Sequence, residues 1–188
     1  MPWHAGRENF AGLRSTNKKP PSTMYPTNHL ASFGAAALLA EESPQQSYAN
    51  AHFLIVDDIS SMRRVIGSLL KEQLRHIRIS EAADGASALQ VIKAAESGGT
   101  PVDFVVTDWN MPHMDGITLL RTIRQQDETH HLPVLLVTAE ATRDMILDAA
   151  RAGADGYIVK PFNASTLKTK LSQIMSKRKN KAELAHAA

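Results

Sequence analysis

Short apolar runs, separated by longer amphipathic stretches, restrict most strongly how this chain can fold. The runs that we predict as strands are Phe53–Val56, Ile77–Glu81, Val102–Thr107, Val134–Thr138 and Tyr157–Lys160. The first and fourth are almost wholly apolar, as a central parallel strand must be when helices cover both of its faces. Between the runs, apolar residues recur at helical spacing. This alternation predicts an α/β fold, a doubly wound five-stranded parallel sheet flanked by five helices.

Polar and charged residues stand at the ends of four predicted strands. Asp57 and Asp58 follow the first strand, Asp108 follows the third, and Thr138 and Lys160 end the fourth and fifth. Doubly wound sheets bind ligands at the carboxyl ends of their strands. We therefore expect three carboxylates, a hydroxyl and an ammonium group to meet at one edge of the sheet.

An ordinary structural role is available for most of these residues. An aspartate between a strand and a helix often caps the helix, and a lysine is usually solvated. However, two adjacent carboxylates exceed what one cap needs, and a third at Asp108 would repel both unless a cation neutralised them. Oxygen ligands of this kind suit Mg²⁺. The sequence therefore favours a magnesium site, with Lys160 as a second source of positive charge.

Nucleophilic attack by a carboxylate on a phosphoryl group is the chemistry that best fits this set of residues. Asp108 is our candidate nucleophile, because it follows the third of the five strands and has acidic residues on one side and the lysine on the other. Mg²⁺ and Lys160 would stabilise the charge on the transferring group. Thr138 would donate to the new oxygens.

Several motifs of the chain resemble those of response-regulator receiver domains, and among them the stand-alone chemotaxis regulators of the CheY type. The resemblance covers about residues 51–176 and implies a flavodoxin-like, CheY-like fold. Its motifs are Asp57-Asp58-Ile59-Ser60-Ser61-Met62-Arg63-Arg64, Asp108-Trp109-Asn110-Met111-Pro112-His113-Met114-Asp115-Gly116, Thr138-Ala139-Glu140-Ala141 and Gly153-Ala154-Asp155-Gly156-Tyr157-Ile158-Val159-Lys160-Pro161-Phe162.

The resemblance implies that a sensor histidine kinase, or a small donor such as acetyl phosphate, phosphorylates Asp108. It also implies that Mg²⁺ is bound by Asp58, Asp108 and the backbone carbonyl of Asn110, with Asp57 acting through water. A phosphatase is a further expected partner. The protein would be a phosphoacceptor switch that assists its own phosphorylation and autodephosphorylation, and not an enzyme acting on a separate substrate.

By the same resemblance, Thr138 and Tyr157 form a switch pair that responds to the phosphoryl group, while Asn110 and Glu140 tune autodephosphorylation. The responding surface would comprise a helix at about Thr142–Arg151, the strand Tyr157–Lys160 and a helix at Ala164–Ser176. Phosphorylation adds charge and acceptor oxygens at one edge of the sheet, and a bistable element is needed to carry that change to a distant surface.

The composition excludes several other classes of protein. The absence of cysteine excludes disulfides, thiolate metal sites and a cysteine nucleophile. No apolar run reaches the roughly 18 residues of a membrane span, and Ala31–Ala40 lacks the preceding basic segment of a secretory signal. We therefore expect a cytoplasmic protein that binds neither membrane nor nucleic acid. The net charge of +2 comes from the ends of the chain, since residues 177–188 hold four basic side chains and one acidic.

We divide the chain into a flexible extension at 1–50, a receiver domain at 51–176 and a basic tail at 177–188. Proline, serine and asparagine are frequent in the extension, where His29–Glu42 could form at most a short helix. The basic tail is too short for a DNA-binding domain. The output is thus expected to be contact with another protein, and we expect the chain to be a monomer.

Two outputs share the predicted chemistry. One is a chemotaxis switch that binds the flagellar motor switch protein, and the other is a phosphorelay shuttle or phosphate sink for a non-flagellar kinase. A Mg²⁺ phosphoesterase would need a second general acid near Asp108, where Asn110 stands instead. A flavin carrier is disfavoured because acidic residues follow the first strand, where a phosphate-binding loop would be required.

Overall fold

The computed structural model describes residues 48–186, and residues 1–47, including the predicted helix at His29–Glu42, lie outside this range. Five strands alternate with five helices along the chain. The strands are β1 (His52–Val56), β2 (Arg78–Ala82), β3 (Phe104–Asp108), β4 (Val134–Thr138) and β5 (Gly156–Val159). The helices are α1 (Ser60–Gln73), α2 (Gly85–Ser97), α3 (Gly116–Gln125), α4 (Arg143–Arg151) and α5 (Ala164–His186).

All five strands pair in parallel in the order β2-β1-β3-β4-β5. The three central strands are buried at every position, which explains their apolar sequences. Crossing from β1 to β3 in the middle of the sheet reverses the direction of winding, and the loops after these two strands meet at that point. The predicted doubly wound fold is confirmed.

Two hydrophobic cores lie on opposite faces of the sheet. Helices α1 and α5 cover one face with residues such as Ile66 and Leu171. Helices α2, α3 and α4 cover the other, where Ile92, Leu120 and Ala149 are buried. In the part of the chain that is described, no helix is both long enough and apolar enough to cross a membrane.

Side-chain caps fix where several helices begin. Asp84 forms a capping box with Ser87 at the start of α2, and Asp115 accepts a hydrogen bond of 2.8 Å from the Thr118 amide at the start of α3. The Thr142 hydroxyl accepts from the Met145 amide at the start of α4. These caps set the lengths of the loops that connect the sheet to its helices.

The structure differs from the predicted boundaries at both ends of the domain. Tyr48, which we placed in the extension, is buried and contacts Phe53 and Phe104 edge-on, with ring centroids 5.3 and 5.7 Å away. The last helix continues to His186 instead of ending at Ser176. Arg178 holds this continuation by hydrogen bonds of 2.9 and 3.1 Å to the Asp155 carboxylate. Otherwise the division at 50 and 176 stays a prediction.

Candidate phosphoacceptor site

The carboxylates of Asp57 and Asp108 meet at the carboxyl edge of the sheet and share one ammonium group. Lys160 Nζ donates to Asp57 Oδ2 at 2.9 Å and to Asp108 Oδ1 at 2.6 Å. Asp57 is fully buried, and Asp108 is 7% exposed. Strand β3 ends at Asp108, one residue later than we predicted, and β5 ends at Val159, one residue earlier, so that Lys160 directly follows it. The Lys160–Pro161 peptide bond is cis.

Backbone amides orient the other oxygen of each carboxylate. Ile59 N donates to Asp57 Oδ1 at 2.9 Å, and Asn110 N donates to Asp108 Oδ2 at 3.1 Å. Each of the four carboxylate oxygens therefore accepts one hydrogen bond. Because a carboxylate oxygen has two lone pairs, each keeps the capacity to bind a further cation or donor.

Burial and charge act in opposite directions on the ionisation of this pair. Burial raises the pKa of Asp108, and the nearby Asp57 carboxylate raises it further, although the hydrogen bond from Lys160 opposes both. Burial alone would lower the pKa of Lys160, but its two carboxylate partners outweigh that effect and raise it. One ammonium shared between two buried carboxylates thus stays charged without fully compensating either acid.

The donor set suits a small divalent cation. The site has three carboxylates, those of Asp57, Asp58 and Asp108, and one ammonium group, that of Lys160. Its net charge is therefore −2 when all four groups are ionised. Among residues 48–186, no three histidine or acidic side chains are placed to hold a metal by themselves. Mg²⁺ does not need such a set, because it is commonly held by one or two carboxylates together with water. The exposed Asp58 side chain and the Asn110 carbonyl are available to complete such a site.

Thr138 and Tyr157 lie on the neighbouring strands β4 and β5, and β4 also pairs with β3, which carries Asp108. Thr138 is buried at the end of β4, and its hydroxyl donates to the Glu140 carbonyl at 2.7 Å. Tyr157 pairs with Leu136 across β4 and β5 and is half-buried. The ammonium group of Lys170 lies 5.4 Å from the centre of its ring. Glu140 and Asn110 are exposed at the rim of the site.

Sequence reasoning missed the role of Arg63 at this site. Its guanidinium donates to the Asp57 carbonyl through Nη1 at 2.8 Å and to Glu81 Oε2 through Nε at 2.8 Å. The sequence motif includes Arg63, but an arginine in the first turn of an amphipathic helix is usually solvated. Only the pairing of β1 with β2 brings Glu81 within its reach.

The sequence profile of the response regulator receiver domain matches residues 53–172. The chain belongs to this family. Chemotaxis protein CheY-3 of Vibrio cholerae is 52% identical to it over 128 residues, which cover 68% of this chain and 94% of that protein. Chemotaxis protein CheY of Pseudomonas aeruginosa is 51% identical over 124 residues, covering 66% and 95%.

Solved structures agree with this relationship. The receiver fold superimposes on the chemotaxis protein CheY4 of Vibrio cholerae with a TM-score of 0.58 and 32% identity, over 67% of this chain and 99% of that one. A response regulator receiver domain from Francisella gives a TM-score of 0.58 with 27% identity, covering 69% and 99%. The chain is thus a CheY-like receiver domain and a signalling switch of the two-component type.

Proposed function

We propose that Asp108 of this receiver domain accepts a phosphoryl group from a histidine kinase. A carboxylate oxygen of Asp108 attacks phosphorus, the bond from phosphorus to the donor nitrogen breaks, and an aspartyl phosphate forms. The observation that carries the proposal is the Lys160 ammonium, which lies between Asp57 and Asp108 within hydrogen-bonding distance of both. On phosphorylation, this ammonium could pair with a phosphoryl oxygen without leaving the site.

Mg²⁺ is the cofactor that we propose for this step, held by Asp58, Asp108 and the Asn110 carbonyl, with Asp57 acting through water. When bound, it would supply positive charge to the transferring group. The chain's own contribution is to orient the acceptor. The Asn110 amide fixes Asp108 Oδ2, while Lys160 contacts Oδ1 and offsets part of the repulsion between Asp57 and the acceptor.

The proposed switch connects the acceptor to a surface formed by α4, β5 and α5. Thr138 would exchange its bond to Glu140 for one to the phosphoryl group, leaving space beside β4 into which Tyr157 turns. Tyr157 lines a cavity of about 200 Å³ between α4 and α5, together with Ala150 and Lys170. Turning its ring would therefore change the shape of this surface. Glu140 and Asn110 at the rim would govern the access of water to the phosphoryl group.

We further propose that this surface binds the flagellar motor switch protein. The relatives named above are chemotaxis proteins, and two apolar side chains of the surface, Leu147 and Val159, are 42% and 39% exposed. We propose that the protein acts as a monomer in the cytoplasm, because a histidine kinase uses the ATP that is available there. It would need no nucleic acid and no membrane for this role.

Phosphotransfer followed by partner binding tests this function. A chemotaxis-type histidine kinase carrying labelled phosphate should lose its label to the wild type but not to Asp108→Asn. The phosphorylated protein should then bind the motor switch protein more tightly than the unphosphorylated one. Leu147→Glu should abolish this difference. Val65→Glu replaces an apolar residue of similar exposure (49%) on α1 and should not.

Two results would separate the alternatives. If the kinase loses its label to the protein but phosphorylation leaves binding to the motor switch protein unchanged, the protein is a phosphorelay shuttle or phosphate sink. If no label reaches the wild type from any histidine kinase or small donor, the proposed phosphorylation of Asp108 is wrong.

A further inference from the structure

Arg63 links the buried acid Asp57 to the edge of the sheet. It lies in the first turn of α1, and its side chain is 17% exposed, far less than is usual for an arginine. Its guanidinium contacts the Asp57 carbonyl and the Glu81 carboxylate at the same time, each at 2.8 Å. Glu81 belongs to the edge strand β2, so the contact joins the loop after β1 to its neighbouring strand.

With Arg63 included, Asp57 is fixed at every side-chain oxygen and at its carbonyl. Ile59 N holds Oδ1, Lys160 holds Oδ2, and Arg63 holds the backbone oxygen. Asp57 cannot rotate or withdraw without breaking at least one of these bonds. Its carboxylate is the group that shares Lys160 with the acceptor, so its position decides where the ammonium stands relative to Asp108.

We propose that Arg63 is a positioning residue for phosphorylation and for Mg²⁺ binding, acting through Asp57, with Glu81 as its anchor. This inference rests on the proposed function. The guanidinium is already paired with Glu81, so its charge is largely neutralised within the pair. Its contribution is therefore geometric, because a planar group with donors in two directions spans an acceptor on each side.

A lysine cannot replace this geometry. Its ammonium is a single point on a flexible stem and cannot place donors against the Asp57 carbonyl and Glu81 in the fixed directions of a guanidinium. Arg63→Lys keeps the positive charge but loses the planar guanidinium with its donors in two directions, whereas Arg63→Gln loses both the charge and the guanidinium. The pair of variants thus separates positioning from simple electrostatics. Arg64 is the matched control, because it is the next residue of the same helix and is exposed.

The test measures Mg²⁺ affinity and phosphorylation separately in the full-length protein. Mg²⁺ is titrated while the fluorescence of Trp109, which adjoins the acceptor, is recorded. The rate of phosphorylation by acetyl phosphate is then measured at saturating Mg²⁺. Loss of groups that orient metal ligands typically weakens metal binding about 10- to 100-fold. Because Asp57 would act on the ion through water, we expect Arg63→Gln and Arg63→Lys to raise the Mg²⁺ dissociation constant by the lower end of this range, about tenfold, and Arg64→Gln to leave it unchanged.

Glu81→Gln provides a milder perturbation, because Glu81 is 42% exposed and the amide retains one acceptor. We expect it to shift the Mg²⁺ dissociation constant in the same direction as Arg63→Gln, by a smaller factor. Wild-type affinity in Arg63→Lys would overturn the inference, and so would a lower melting temperature in Arg63→Gln and Glu81→Gln without any change in Mg²⁺ affinity. Failure of the wild type and Arg64→Gln to accept a phosphoryl group from acetyl phosphate and also from a histidine kinase would instead refute the proposed function.

Discussion

Replacing Gly116 by alanine should displace the acceptor without changing any group that takes part in the chemistry. Gly116 is the first residue of α3, and its amide donates to the Trp109 carbonyl at 2.9 Å, which closes the loop after β3. A Cβ atom at this position would lie 2.0 Å from the backbone oxygen of Asp108. A side-chain rotation cannot relieve this clash, because the clashing atom belongs to the backbone of Asp108, the acceptor itself.

The size of the effect follows from this distance. An ordinary contact for a Cβ atom begins at 3.4 Å, so α3 and the end of β3 must separate by about 1.4 Å. A displacement of about 1 Å at a reacting group can lower a rate about 100-fold. We therefore expect Gly116→Ala to reduce the rate of phosphorylation by acetyl phosphate at saturating Mg²⁺ by about 100-fold. Overpacking should also lower the free energy of unfolding by about 1–3 kcal/mol.

Gly67→Ala is the control for this experiment. A Cβ atom on Gly67, in α1, would meet only the side chains of Ile55 and Ile79, at 3.5 and 3.6 Å. Its phosphorylation rate should stay within about twofold of the wild type, because contacts of this length require no backbone movement. Rates would be followed by intact mass on protein that urea titration shows to be folded. A wild-type rate in folded Gly116→Ala would show that the close approach of Gly116 to Asp108 does not position the acceptor.

Three further perturbations have predicted outcomes. Burial raises the pKa of Asp108, so ionising this carboxyl group above pH 3.8 costs stability. Asp108→Asn should therefore raise the melting temperature at pH 7 without Mg²⁺, and this gain should vanish as the pH falls below 3.8. Tyr48→Ala removes an aromatic ring from the core and should cost about 3 kcal/mol in urea unfolding, with phosphorylation retained. Arg124→Ala removes three bonds to carbonyls and one of the two arginines paired with Asp155, and should cost about 2 kcal/mol by the same assay.

The sequence predicted the sheet and its functional edge because local patterns determine both. Strands buried on both faces need continuous apolar runs, and β4 was predicted with its observed bounds, Val134–Thr138. Parallel strands bring their carboxyl ends to one edge, so residues that follow such runs must converge. Asp57, Asp108 and Lys160 do meet there. Their roles in phosphorylation, and those of Thr138 and Tyr157, stay proposals.

Contacts between distant segments could not be predicted in this way. Tyr48 precedes all five predicted strands, and only the packing of Phe53 against Phe104 creates the space that it fills. The basic residues after Ser176 have no apolar periodicity that would extend a helix, yet α5 continues to His186 and Arg178 contacts Asp155. Arg63 likewise acquires its partners only when β2 pairs with β1.

Mg²⁺-dependent phosphorylation of Asp108 can be measured directly by the intact mass of the protein after exposure to acetyl phosphate, with and without Mg²⁺. The wild type should gain one phosphoryl group only when Mg²⁺ is present. Asp108→Asn should gain none, while Asp127→Asn, the same change at an exposed aspartate, should behave as the wild type. A phosphoryl group that still appears in Asp108→Asn would show that Asp108 is not the acceptor, and one that appears equally without Mg²⁺ would show that the metal is not required.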